Sequence, residues 1–266
     1  YYYKTNLRLK YKFNKFNKIK KNEFKELHSN NTEKVSDKWE SYLDYYNEIF
    51  LPFKNKNISL LEIGIQNGGS LQTHLNFFKN AEMIVGCDID DQCHNLNYDD
   101  ERIKVVVGNI NSNETYSKIS SLINQFDILI DDGSHISSDI IISFIKYFPI
   151  VKPGGIYVIE DLHCSYDSYD TKYYIGGILN ENSAINFFKK IIDVINSEFW
   201  TNEINLQTYL SHFFPKDLPQ LIVDGSIKSI EFRNSIITIK KSKIGETNKL
   251  GKRMISGQEM KVAKLK

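Results

Sequence analysis

Ile58-Ser59-Leu60-Leu61-Glu62-Ile63-Gly64-Ile65-Gln66-Asn67-Gly68-Gly69-Ser70 runs from an apolar stretch through a glycine-rich turn to a helix start. Glycines at 64, 68 and 69 allow positive φ and let backbone approach a ligand closely. Ser70 is placed to cap the following helix, expected over 70–79, whose positive N-terminus suits a phosphate or carboxylate. Downstream, apolar runs stand at 83–87, 103–107, 126–130 and 156–159, with helical candidates near 91–97 and over 113–124 and 136–147. Near-continuous apolar strands alternating with helices predict a parallel sheet covered on both faces. The fold class is therefore α/β, doubly wound and Rossmann-like. A helix over 183–198 follows, then two strands at 228–232 and 235–240 with Arg233-Asn234 as their turn. Upstream, Ser36 reads as an N-cap for a helix over 36–50, in which Trp39, Tyr42, Leu43, Tyr46 and Phe50 recur at helical spacing. Such an amphipathic helix lies on the main domain, with Trp39 as a docking residue.

Composition bounds the classes available. The 266 residues are 41% hydrophobic, enough for a core and too apolar for a wholly disordered chain. No run of eighteen apolar residues occurs, which argues against a membrane-spanning helix. No apolar block near the start suits a secretory signal. Three cysteines without metal-ligand spacing support neither a disulfide scaffold nor a zinc module, so a reducing, cytoplasmic setting is expected. The net charge of +1 hides a split: residues 1–22 carry eight cations and no acid, and residues 240–266 carry nine cations against Glu246 and Glu259. Residues 23–239 keep 17 cations and 31 acids, a net of −14, which argues against nucleic acid as a partner. The expected division is a basic extension or linker over 1–35, a main domain over 36–240 and a basic tail over 241–266. Opening at Tyr1, the chain is expected to be a processed product or a piece of a longer polypeptide.

Polar residues gather at the carboxyl ends of the expected strands. Gln66 takes the place of the middle glycine of a dinucleotide fingerprint, and Glu62 precedes the first glycine by two residues. An acid there suits the ammonium of an amino-acid moiety. That favours S-adenosyl-L-methionine (SAM) over a pyrophosphate. Asp88 ends the second run, where a carboxylate holds ribose hydroxyls. Asn109 ends the third, where an amide oxygen accepts from an adenine amino group. Gly64, Gly68 and Ser70 complete the cofactor side. The fourth run enters Asp131-Asp132-Gly133-Ser134-His135, and the fifth enters Glu160-Asp161-Leu162-His163. Four carboxylates converging there repel one another unless one is protonated or a cation binds, and oxygen donors favour Mg²⁺. Asp131 is assigned to the cofactor side of that cluster. Lys38 and Trp39 are candidates to frame the cofactor pocket. His163 reads as a second base, as a group that orients Asp161, or as a packing residue. Tyr166, Tyr169, Tyr173 and Tyr174 lie in a polar stretch, 164–177, read either as an aromatic lid for a sugar or as a packed surface loop. His28, His74, His94 and His212 read as structural.

The terminal hairpin after five alternating units resembles the seven-stranded sheet of the class I SAM-dependent methyltransferases, with its last strand inserted antiparallel. More narrowly, Asp37-Lys38-Trp39, LLEIGIQNGGS at 60–70, IDDGSH at 130–135, PGG at 153–155 and VIEDLH at 158–163 resemble the metal-dependent sugar O-methyltransferases of the macrocin/mycinamicin branch. The resemblance implies Asp132, Glu160 and Asp161 as ligands of a divalent cation and His135 as general base. It also sets Glu62, Gly64 and Asp88 on cofactor positions, while Gln66 and Asn109 depart from the family pattern. A sugar or glycoconjugate acceptor follows from the same resemblance. The chain also resembles methyltransferase domains found beside glycosyltransferase domains in surface-polysaccharide enzymes; a homo-oligomer is compatible with it.

The mechanism implied is deprotonation by His135 of a sugar hydroxyl that the cation acidifies, followed by in-line methyl transfer. Alternatives left open are a catechol-like or other vicinal diol acceptor, and a non-catalytic binding module of a larger assembly.

Overall fold

The computed structural model describes residues 22–166, 179–201, 203–259 and 261–262. Tyr169, Tyr173 and Tyr174 of the proposed lid, and most of the basic N-terminal stretch, lie outside them. Among the described residues one sheet has seven strands: β1 (Ser59–Ile63), β2 (Met83–Asp88), β3 (Ile103–Val107), β4 (Phe126–Asp131), β5 (Val151–Ile159), β6 (Ile227–Arg233) and β7 (Ile236–Lys241). Their order is β3-β2-β1-β4-β5-β7-β6. Neighbours from β3 to β5 pair parallel, and β7 inserts antiparallel between β5 and β6. Strand order reverses between β1 and β4, and a doubly wound sheet binds ligands beyond the carboxyl ends at that crevice.

Side-chain alternation assigns the two faces. Leu61, Ile63, Leu129, Tyr157 and Ile159 point into one core, which is covered by α5 (Ser137–Tyr147) and α6 (Ala184–Ile195). Leu60, Ile128, Ile130, Ile156 and Val158 point into the other. That second core is covered by α1 (Glu23–Ser29), α2 (Glu40–Phe50) and α3 (Gly69–Phe77). Every residue of β1 is buried, as a strand covered on both faces requires. Helix α4 (Asn113–Leu122) follows β3, and the short α7 (Leu206–Leu210) and α8 (Gln220–Val223) lead into the hairpin.

Several local expectations shift. Helix α2 begins at Glu40 with Trp39 as its cap residue, so Ser36 is not the N-cap. Trp39 is 61% exposed and does not dock the helix; Tyr42, Leu43, Tyr45, Tyr46 and Phe50 do. Helix α3 is capped by Gly68 at φ 77°, and Ser70 falls inside its first turn. A Cβ on Gly68 would stand 2.0 Å from the Tyr98 hydroxyl, and one on Gly64 the same distance from the Asp132 carbonyl oxygen. These two glycines therefore make room for the chain's own atoms. Residues 91–95 form a 3-10 turn capped by the Asp90 side chain. Pro153-Gly154-Gly155 lies within β5, beside a register shift against β4, instead of ahead of the strand. The hairpin turn is Asn234-Ser235, because Arg233 still pairs with Ile236. Helix α1 packs Phe24 against Tyr46, Phe50, His74 and Phe77 at 5.3–5.5 Å, so the folded unit reaches upstream of the boundary expected at residue 36.

Candidate active site

The strand-end acids separate into two groups that share Asp132. In the inner group, Lys38 extends from the segment ahead of α2 into the sheet. Its Nζ lies 2.5 Å from Asp132 Oδ2, 2.9 Å from Glu160 Oε1 and 3.3 Å from Glu62 Oε1. The Lys38 side chain is only 7% exposed. Tyr46 donates its hydroxyl proton to Glu160 Oε1. Ser70 donates to Glu62 Oε2 at 2.7 Å, and His74 Nε2 lies 3.5 Å from the same oxygen.

Burial pushes the Glu62 carboxyl up, but Lys38, His74 and Ser70 outweigh it and hold it at about 2. Burial pushes the Lys38 ammonium down, and the surrounding carboxylates reverse this and hold it well above the usual lysine range. Glu160 and Asp132 remain raised, by burial and by neighbouring negative charge that Lys38 does not fully offset. The cluster is short of positive charge, a condition that a bound cation relieves.

The outer group is Asp132, His135 and Asp161, half-buried, with donor atoms within 4.8 Å of one another. His135 Nε2 lies 3.9 Å from Asp132 Oδ1 and 3.7 Å from Asp161 Oδ2. Both separations exceed a hydrogen bond. Burial lowers the His135 pKa against the upward pull of Asp161 and Asp131, favouring the neutral ring. His135 and Asp161 sit at φ 57° and 54°, in left-handed backbone, a conformation that costs about 1–3 kcal/mol at such residues and clusters at functional sites. Asp161 is held by Tyr42, whose hydroxyl donates to its Oδ1 at 2.8 Å, and whose oxygen accepts from its backbone N–H. Ser235, at the tip of the hairpin, accepts from Leu162 N–H with its carbonyl and from His163 N–H with its hydroxyl. His163 Nδ1 lies 2.6 Å from the Ser235 hydroxyl and 3.8 Å from Asp161 Oδ1, consistent with an orienting place for this ring.

Of the expected metal set, Asp132 belongs to both donor groups, Asp161 to the outer one and Glu160 to the inner one. Asp132 and Asp161 meet His135, whereas Glu160 turns inward to Lys38 and Tyr46. The carboxylate oxygens of the outer set fit a hard divalent cation, with the His135 ring beside them.

On the cofactor side the outcomes differ by residue. Asp88 Oδ2 accepts from the N–H groups of Ile65 and Gln66, both at 2.8 Å, and Oδ1 accepts from Asp90 N–H. The carboxylate is half-buried and keeps acceptor capacity for hydroxyls. Exposed Ile89 and Asn109 stand at the same edge, which fits an adenosine. Glu62 has no exposed surface and faces Lys38, Ser70 and His74, so it is not open to the ammonium of a methionine moiety. Ser70 serves Glu62 directly, and Gly64 and Gly68 shape the turn. Asp131 is not at the cleft: it points to the other face, where Ser143 and Tyr157 donate to Oδ2 and Gly133 N–H to Oδ1. Burial raises its pKa.

Sequence reasoning missed the tyrosines of α2 as site residues. Tyr42 reaches Asp161, Tyr45 donates to Thr238 Oγ1 at 2.8 Å, and Tyr46 reaches Glu160. The signal was available, since a buried stripe of tyrosines needs polar partners for its hydroxyls. His74 is structural in a specific sense, buried beside Glu62.

The architecture is the Rossmann-like seven-stranded fold of the class I SAM-dependent methyltransferases. Within that class, the chain is similar to macrocin/mycinamicin-type sugar O-methyltransferases. No protein-family model matches it. Demethylmacrocin O-methyltransferase of Streptomyces fradiae is 38% identical over 142 residues, covering 50% of this chain and 35% of that protein. Mycinamicin VI 2''-O-methyltransferase of Micromonospora griseorubida is 38% identical over 132 residues, covering 47% and 32%. The chain therefore spans about a third of the length of these two relatives. Among solved structures, the MycE methyltransferase of the mycinamycin biosynthetic pathway, in complex with Mg and SAH, superposes with a TM-score of 0.66 at 28% identity. That match covers 85% of this chain and 56% of the other.

Proposed function

We propose that this chain is a SAM- and divalent-metal-dependent O-methyltransferase that acts on a sugar hydroxyl in glycoconjugate assembly. The observation that carries the reading is the outer group: two carboxylates and a neutral imidazole at the carboxyl end of β4 and β5, beside the switch point of the sheet. Relatives that methylate named glycosides support the acceptor class, and the Mg and SAH of the similar structure support the cofactors.

When bound, SAM supplies an electrophilic methyl group and a cation at Asp132 and Asp161 lowers the pKa of an acceptor hydroxyl. Asp88 holds ribose hydroxyls, and Asn109 faces the adenine. His135 Nε2 takes the hydroxyl proton as the acceptor oxygen is methylated, a role that requires the neutral ring favoured by burial. The proton leaves to solvent through the half-exposed outer face. Tyr42 holds Asp161 by its carboxylate and its backbone N–H and so keeps its Oδ2 turned to His135. A glycosyltransferase fused or associated in the cell, a homo-oligomer and a cytoplasmic setting belong to the same proposal; among the described residues no helix is long and apolar enough to cross a membrane.

Mass spectrometry of nucleotide sugars and glycosides incubated with SAM and Mg²⁺ is the test. Gain of one methyl group, abolished by chelator, is expected. Transfer confined to catechols would replace the acceptor class, and absence of SAM binding by calorimetry would sink the enzymatic reading.

A further inference from the structure

We propose that Trp39 is the stacking surface for the acceptor, its indole taking the C–H face of a pyranose ring while a hydroxyl of that ring meets His135. The proposal rests on the sugar O-methyltransferase reading above and gives a binding role to a residue to which that reading assigns none. Trp39 is exposed, although the side chain of its neighbour Lys38 is buried among the strand-end acids. It does not hold α2 to the sheet, as Tyr42, Tyr45 and Tyr46 do. Its side chain makes no capping hydrogen bond at the helix start. Helix packing and capping therefore do not account for an indole at this position.

Its surroundings point to a ligand. The indole stands edge-to-face with the His163 ring, centroids 6.2 Å apart and planes at 88°. The two rings form a right-angled corner that is open to solvent, since the His163 side chain is half-exposed as well. The corner is held in place: His163 Nδ1 lies 2.6 Å from the Ser235 hydroxyl, and Lys38 anchors the backbone immediately ahead of the indole. From this corner the base is two side chains away. His163 Nδ1 is 3.8 Å from Asp161 Oδ1, and Asp161 Oδ2 is 3.7 Å from His135 Nε2.

The topology separates this corner from the cofactor. Asp88 and Asn109, assigned to adenosine, lie at the ends of β2 and β3, on one side of the switch point between β1 and β4. His163 follows β5 and Ser235 joins β6 to β7, on the other side. A molecule resting on the indole therefore reaches His135 from the flank opposite the cofactor, as in-line transfer requires. A pyranose carries C–H bonds on its ring faces and hydroxyls around its rim. Contact with the indole at about 4 Å leaves those hydroxyls free to turn toward His135. A catechol would stack on the same surface and is the occupant that the experiment must separate.

Kinetics and fluorescence on the full chain test this, with the methyl pyranosides of rhamnose, glucose and galactose and with catechol as probes, all with Mg²⁺. Trp39→Ala is expected to raise KM for a methylated pyranoside about tenfold, about 1.4 kcal/mol, with kcat within about twofold and SAM affinity unchanged. Trp39→Phe, which keeps a ring, is expected to recover most of that loss. In a Trp200→Phe background Trp39 is the single tryptophan, and a pyranoside is expected to shift its emission saturably when SAH is bound. That readout leaves Trp39 in place, so it holds even where Trp39→Ala fails to fold. An unchanged KM in Trp39→Ala would overturn the inference and leave the methyltransferase reading intact. So would a raised KM accompanied by a changed subunit count in solution, which would assign the indole to an interface between copies. Transfer to catechol alone, or to none of the probes with no shift in emission, would overturn the inference together with the sugar reading.

Discussion

The inner and outer acid groups share Asp132 and lie on consecutive layers of one sheet edge, yet their physics differs. The inner group is closed. Lys38, Tyr46, Ser70 and His74 surround Glu62 and Glu160, and neither carboxylate has appreciable exposed surface. The outer group is half-buried, its donor atoms stand farther apart than hydrogen bonds, and two of its own residues, His135 and Asp161, sit in left-handed backbone. A closed, paired cluster contributes rigidity, and breaking it by removing one partner is strongly destabilising. An open, half-buried cluster keeps capacity for a ligand and a proton. Stability and chemistry are thus assigned to neighbouring residues, and substitutions in the two groups are expected to fail differently.

The largest contrast is at His135. His135→Ala is expected to retain SAM binding and the melting temperature of the parent, and to lose roughly 10²–10⁴-fold in methyl-transfer rate. Wild-type-like turnover would remove His135 as the base and with it the functional half of the contrast.

Next comes the acid dependence of the inner group. Glu62 is held at about 2 in the folded chain against an ordinary 4.5. A depressed carboxyl contributes stability that is present above the unfolded value and lost as pH falls through the folded one. Glu62→Gln is therefore expected to be less stable than wild type by on the order of 3 kcal/mol near pH 7. That difference shrinks below pH 4.5 and vanishes near pH 2. Denaturant titrations across this window measure it; a pH-independent difference would mean that packing, not charge, accounts for the loss.

The smallest contrast separates two tyrosines of one helix. Tyr46→Phe, which strips a donor from buried Glu160, is expected to cost about 1–3 kcal/mol of stability. Tyr42→Phe is expected to cost less stability but to lower turnover roughly tenfold through a looser Asp161. Equal melting temperatures and equal rates for the two variants would erase the distinction between the groups.

Much of this was readable from the chain. The central strands emerged within a few residues because strands buried on both faces carry near-continuous apolar side chains, and the edge strand β6 emerged from its short turn to β7. The paired acids at the ends of β4 and β5 were equally visible. Their separation follows from the two-residue pleat: Asp131 shares the face of Leu129 and turns to Ser143, while Asp132 shares the face of Ile130 and meets Lys38. That part of the site was legible in principle and was read instead as a single cluster. Trp39 was misjudged as a docking residue for a related reason. Helical spacing identifies a stripe, but at the cap of α2 the chain has left helical backbone, so the stripe no longer predicts which neighbour is buried.

The sequence by itself determined the sheet, its strand order class and the strand ends at which chemistry sits, because hydrophobic periodicity and turn residues are local properties. Tertiary structure alone decided which acids face one another and that a lysine 24 residues upstream of Glu62 enters among them. Such partnerships depend on how α2 lies across the strand tips, a placement set by long-range packing and by buried hydroxyls seeking partners.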